Sequence, residues 1–224
     1  MADKILLIGG PGPAVVIANA ITHAITNYNM NVELAGLVND EVEKKSFNGI
    51  PIKGSLNDID DLVKEGYKFI YTIYKIGGQD KRIQLFNSLN IPIKQLYTFT
   101  HPSAYVAPDV VLEPGVVVMP NVSISAGTVI GKGTLIMTNA SIGHDNEIES
   151  HCMFTANACL GSYIKVGRGA WVGLNSTIRG KLTLGDKSAV GIGSVVTKSI
   201  PGEELWIGNP AKFHKSVKAQ NISM

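Results

Sequence analysis

A chain of 224 residues, 45% hydrophobic and 17% charged, can bury a substantial core as one large or two small domains, which excludes a disordered chain. Twenty basic against eighteen acidic residues leave a formal charge of +2, and no Lys/Arg block interleaves with aromatics, so electrostatic capture of nucleic acid is not expected. Cys152 and Cys159 are the only cysteines and form no CxxC, which argues against a disulfide scaffold or cysteine-rich zinc site and fits a reducing cytoplasm.

The N-terminal MADKILLIGG carries an apolar run that breaks at glycine, too short for a signal segment or a membrane span, so no membrane association is expected. Strand patterns KILLIG, VELAGLV, KFIYTIY and IKQLYTF then alternate with helical patterns AVVIANAITHAI, LNDIDDLVKEG and KRIQLFNSL. This predicts a small Rossmann-like parallel α/β sheet over residues 1–100. With four strands it amounts to one mononucleotide-binding half, a better match to a nucleoside diphosphate than to a dinucleotide.

Between the first strand and first helix lies GGPGPA, Gly9 to Ala14. A glycine turn feeding a helix N-terminus offers backbone N–H groups and the positive dipole end to phosphate. As a GxGxxG fingerprint it is defective, since Val15 stands where the third glycine belongs. Asn39 and Asp40, ending the second strand, can hydrogen-bond a ribose or base edge; equally, they form a polar turn in which Asn39 caps the next segment.

After HPSAYV the pattern changes. Apolar residues recur at every sixth position from Val106 to Val196, sixteen times without a slip, and two positions before most of them stands a small or β-branched residue such as Ala104, Thr128, Ala140, Cys152 or Ser176. This is the hexapeptide repeat of a parallel β-helix, spanning residues 101–224 with a short C-terminal tail. Asn121, Asn139, Asn157 and Asn175 follow one another at eighteen residues, as expected if three hexads make one triangular coil with asparagines stacked at a left-handed corner.

Inside this repeat the stretch IGHDNEIESH places His144 two residues past Ile142, with Asp145 next to it. An imidazole beside a carboxylate is a candidate general base: the carboxylate orients the ring and stabilises the imidazolium. The neighbours of His144 at eighteen residues are Ala126, Ser162 and Gly180, so the pair is no repeated ladder. His151 shares a corner column with Gly115, Gly133, Gly169 and Lys187 and is expected to face solvent; His101 reads as structural. Glu147 and Glu149 read as solvated corner residues, either of which could replace Asp145 as the partner of His144.

The hexads resemble those of left-handed β-helix acyltransferases. LIMTNASIGHDNEIES and the ending VGIGSVVTKSIPGEELWIGNPAK are similar to the PglD- and NeuD-type acetyltransferases of bacterial glycan pathways. The resemblance implies a homotrimer with active sites at subunit interfaces. It implies acetyl transfer from acetyl-CoA to the amino group of a nucleotide-linked amino sugar, of the 4-amino-4,6-dideoxy kind, with His144 as base and Asp145 as its acidic partner. It puts the sugar nucleotide on Gly9, Gly10, Gly12, Asn39 and Asp40, and the coenzyme on Thr155, Ser162, Gly173, Leu174, Ile192 and Lys212.

Three positions depart from that family's pattern. Pro13 stands at the histidine of a GxxGHG loop, Met153 at a second histidine nine residues after the base, and Met137 at an asparagine seven before it. Met137 then falls on the substrate side and Met153 on the coenzyme side, two thioethers lining a more apolar or wider pocket.

Rival readings make different demands. A metal enzyme on the same repeat would need three histidines at near-coil spacings, but His101, His144 and His151 are 43 and 7 residues apart, and no metal is expected. O-acetylation of a sugar or sialic acid needs the same base and groove. A non-catalytic trimeric scaffold with a nucleotide-sensing first domain needs neither.

Overall fold

The computed structural model describes residues 2–218; residues 219–224 of the expected tail lie outside the described residues. The chain opens with β1 (Asp3–Ile8), α1 (Pro13–Tyr28), β2 (Val32–Val38), the short β3 (Ser46–Phe47) and β4 (Ile50–Gly54), then α2 (Ile59–Lys64), β5 (Lys68–Tyr71) and α3 (Gln79–Ser88). Ile5 to Ile8 are fully buried, as their unbroken apolar run requires of a central parallel strand. In α1 the buried residues Ala14, Ile17, Ala18, Ile21 and Ala24 fall on one helical stripe, Pro13 occupies the first turn, and Asn29 ends the helix at φ 54°. The sheet order is β3-β4-β2-β1-β5, parallel except for the β3–β4 pair.

Two features differ from the sequence reading. The β3–β4 hairpin extends the sheet at one edge, where Gly36 leaves no space for a side chain: a Cβ there would lie 2.5 Å from the Pro51 carbonyl oxygen. The expected fourth strand IKQLYTF is divided instead. Ile93–Gln95 form a 3-10 turn, Leu96 makes a single parallel bridge to Phe69, and Phe99–Thr100 pair with Val117–Val118 of the second architecture.

That architecture is a triangular parallel β-helix. Sixteen two-residue strands run from Tyr105–Val106 to Val195–Val196, and the second residue of each is the hexad position. Up to Thr177–Ile178 each strand pairs with the one eighteen residues on, as Ser123–Ile124 does with Ser141–Ile142, building three faces. Hexad side chains from Val118 to Val196 are at most 3% exposed and fill the prism. Asn121, Asn139, Asn157 and Asn175 all have φ between 55° and 61°, the left-handed corner their spacing predicts. A hairpin of Glu204–Gly208 and Ala211–Ser216 closes the last coil.

The three faces differ in their outward residues. The first carries Tyr105, Ser123, Ser141, Cys159, Thr177 and Val195, and the second Val111, Val129, Glu147, Lys165 and Thr183. On the third, Val117, Leu135, Met153 and Ala189 are buried although they point away from the prism. The first domain covers the early part of this face, where one hydrophobic cluster runs from Ile17 and Ile21 of α1 to Val117, Leu135 and Met153.

Polar contacts fix this docking. Tyr74 Oη donates to the Gly133 carbonyl (2.5 Å), and Arg82 Nη2 donates to the carbonyls of His151 (2.6 Å) and Gly169 (3.3 Å). His101, fully buried, stacks on His23 at 5.1 Å, with their facing ring nitrogens 3.0 Å apart.

His151 does not face solvent as its column suggested. It is 4% exposed and packs against Phe86 of α3 at 4.6 Å, because α3 sits on the corner that the glycines keep low. Burial, reinforced by Arg82, Lys132 and Arg168, holds its pKa down at about 4 against an ordinary 6.5. The unfolded chain therefore takes up this proton before the folded one does, and its contribution to stability is complete above pH 6.5 and is lost progressively as pH falls towards about 4. Denaturation midpoints measured across that window should decline, and His151→Asn, which tolerates the left-handed backbone, should flatten the decline.

Candidate active site

The corner between the first and second faces is shaped from within. Ile142 is buried, and Gly143 leaves no room for a side chain, since a Cβ would lie 2.5 Å from the Gly161 carbonyl oxygen and 2.8 Å from Ser162 Oγ. The backbone turns at Asp145, φ 54°. Asn146 then points inwards, fully buried. Its Nδ2 donates to the carbonyls of Gly143 (2.7 Å) and Gly161 (3.0 Å), and its Oδ1 accepts from the Ile164 N–H (2.8 Å). Thr128, Ile164 and Leu182 fill the equivalent position in other coils, so the prism does not require an amide there. The amide ties the His144 coil to the next one. Asn146 was missed in the sequence, although a polar residue two positions before hexad Ile148 was the signal.

His144 projects from this corner. Its Nδ1 lies 2.6 Å from Asp145 Oδ2, with the two side chains 50% and 48% exposed, and Nε2 has no hydrogen-bond partner among the described residues. The His144 N–H donates to Ser162 Oγ (3.2 Å) and its carbonyl accepts from the Tyr163 N–H (3.1 Å). The Tyr163 ring stands edge-on to the imidazole at 5.0 Å. Glu147 pairs with Lys165 at 3.2 Å on the second face, so Asp145 is the carboxylate that meets His144.

The remaining candidate residues fall elsewhere in a single chain. Ser162 lies one coil beyond His144 in the same column. Met137, Thr155, Gly173, Leu174 and Ile192 lie along the corner between the third and first faces, where Leu174 and Ile192 are 46% and 75% exposed and the Thr155 hydroxyl donates to the Val172 carbonyl (2.8 Å). Met153, on the third face, is buried beneath the first domain and lines no open groove of its own chain. Lys212 pairs with Ile207 in the closing hairpin. Apart from Met153 and Lys212, these residues and His144 thus occupy two corners on opposite edges of the first face.

In the first domain the glycine loop sits at the carboxyl ends of β1 and β2, the usual ligand side of such a sheet. Gly9 is required by packing, because a Cβ would fall 2.2 Å from Thr72 Oγ1. Gly12 (φ 101°) precedes α1, which has no side-chain cap, so its first N–H groups are available. Asn39 Nδ2 donates to the Gly9 carbonyl (3.1 Å) while its Oδ1 accepts from the Glu41 N–H (2.8 Å), and Asp40 Oδ1 accepts from the Leu56 N–H (2.9 Å). Both side chains brace the loops, and Asp40 Oδ2 has no hydrogen-bond partner among the described residues.

A hexapeptide β-helix with the exposed His144–Asp145 pair at one corner is joined here to a small, mostly parallel α/β sheet. Solved structures share that arrangement. The chain is 27% identical to a single-residue variant of perosamine N-acetyltransferase from Caulobacter crescentus in complex with CoA and GDP-perosamine, covering 96% of this chain and 99% of that one at a TM-score of 0.83. It is 25% identical to the acetyltransferase domain of PglB from Neisseria gonorrhoeae in complex with acetyl coenzyme A, covering 96% and 100% at 0.84. Among curated proteins it is 30% identical over 137 residues to the acyl-carrier-protein-dependent UDP-N-acetylglucosamine O-acyltransferase of Stutzerimonas stutzeri, 60% of this chain and 53% of that protein. The chain spans about half or less of the length of the curated relatives it matches. No family model matches it. Over nearly its whole length the chain is thus similar in fold to acetyltransferases solved with CoA or acetyl coenzyme A.

Proposed function

We propose that the protein transfers an acetyl group from acetyl-CoA to the amino group of a nucleotide-linked amino sugar, of the 4-amino-4,6-dideoxy kind, with His144 as general base. The observation that carries this reading is the 2.6 Å contact of His144 Nδ1 with Asp145 at a half-exposed corner. It fixes the ring with Nε2 outwards and stabilises the imidazolium that forms on proton uptake. The neutral amine attacks the thioester carbonyl carbon, the C–N bond forms, and Nε2 takes the amine proton. The tetrahedral intermediate then expels the thiolate as the C–S bond breaks, and the thiolate leaves with the proton from Nε2. The Ser162 N–H, one coil beyond His144, has no acceptor among the described residues, which supports it as the oxyanion donor.

A homotrimer belongs to the same reading. The two half-sites of one chain would face those of its neighbours, with the coenzyme between the His144 corner of one copy and the Leu174 and Ile192 corner of the next. The first domain would hold the nucleotide, with its diphosphate at the N-terminus of α1 beside Gly9, Gly10 and Gly12. A cytoplasmic setting, where both substrates are available, follows from this proposal. Among the described residues no helix is long and apolar enough to cross a membrane.

A thiol-release assay with acetyl-CoA, GDP-perosamine and a panel of nucleotide-linked 3-amino and 4-amino sugars tests the proposal. CoA release with one of the amino sugars is the expected result; no release with any of them removes it. A second reading, O-acylation, is favoured by the identity to an O-acyltransferase. It predicts release with hydroxyl acceptors alone.

A further inference from the structure

We infer that Tyr163 is the apolar wall of the acceptor subsite, on which the sugar ring packs while its amine meets His144. The inference rests on His144 being the base. Tyr163 occupies a left-handed corner position, φ 59°, where the same column has Gly127, Asp145 and Lys181. A bulky aromatic side chain is the least comfortable of these at positive φ. Nor is the ring buried: it is 53% exposed, so the fold gains little from it. The ring is nevertheless held in place, edge-on to His144 at 5.0 Å and with Lys181 Nζ 6.0 Å from its centre.

Geometry then limits what can meet it. A proton passes from amine to Nε2 only when the two nitrogens are about 3 Å apart. The carbon bearing that amine, and the pyranose ring behind it, must lie within a few bond lengths of the imidazole. Tyr163 is the aromatic group flanking the imidazole there. Its ring offers a broad, stiff apolar surface, which the C–H face of a sugar ring can cover.

Asparagine tests the inference because it occupies left-handed corners four times in this prism without strain. Tyr163→Asn should keep the wild-type thermal midpoint and oligomeric state. The KM for the amino-sugar acceptor that supports CoA release should rise about tenfold, with the KM for acetyl-CoA unchanged. Tyr163→Phe, which keeps the ring, should behave as wild type. An unchanged acceptor KM in Tyr163→Asn overturns the inference, as does a rise confined to acetyl-CoA or a smaller assembly. Absence of CoA release in the wild-type protein with every acceptor is a different failure, that of the acetyltransferase reading itself.

Discussion

Replacing His144 with alanine should lower kcat for the proposed acetyl transfer by about 10²- to 10⁴-fold, the range that a lost general base produces, and leave folding intact. The side chain is half exposed and its one ion pair lies at the surface, where such pairs contribute little to stability. The backbone bonds of this residue to Ser162 and Tyr163 survive the change. Unfolding midpoint and acetyl-CoA affinity should therefore match wild type while CoA release nearly disappears. Asp145→Asn should fall between the two proteins, since asparagine accepts the positive φ but brings no charge to the imidazolium. A His144→Ala enzyme that keeps about a tenth or more of wild-type kcat would remove the imidazole from the chemistry.

The prism was legible because its inward positions obey one rule. A hexad residue at the wrong register would face solvent, so the sixteen positions from Val106 to Val196 announce the coil, and the four asparagines announce its corner. Outward positions obey no such rule, which is why the docking of the first domain escaped notice. A signal was present: Val117, Leu135, Met153, Trp171 and Ala189 are all apolar, whereas the first face shows Ser123, Ser141 and Thr177 at matching places. His151 was misread for a related reason. The glycines in its column give backbone freedom, but Gly169 also admits α3, since a Cβ there would lie 3.1 Å from Ile83 Cδ1.

The His–Asp pair stood out because it breaks the repeat without disturbing the core. Tyr163 did not stand out, since its strain is visible only once the corner torsions are known. The β3–β4 hairpin has a local signal in Asn48–Gly49, whose positive φ angles make the two-residue turn between Phe47 and Ile50, although SFNGIPIKG is too short for a period of two to be counted. Residues assigned to one groove by resemblance belong in space to separate corners.

Arg82→Ala is expected to destabilise the protein by about 3 kcal/mol, the scale of a broken buried polar network combined with a cavity. Arg82 is 4% exposed, and its guanidinium serves the carbonyls of His151 and Gly169 while lying 4.9 Å from the centre of the Tyr74 ring. Burial pulls its pKa below the usual arginine value, and among the described residues no carboxylate pairs with it to offset that cost. Removing the side chain leaves two corner carbonyls dry and unpaired and opens space under α3. The β-helix does not depend on this contact for its own ladder, so the loss should appear first as separation of the domains. Trp171 lies on the face the first domain covers, so the test is made in a Trp171→Phe background: in a denaturant titration followed at Trp206 of the closing hairpin and by far-UV signal from the helices, the two transitions should part, the helical one moving to lower denaturant. Arg82→Lys should rescue little, because a single ammonium on a flexible stem does not reproduce the planar fork of the guanidinium. If coincident wild-type transitions persist in Arg82→Ala, the apolar contact of α1 with the third face holds the domains together without the guanidinium.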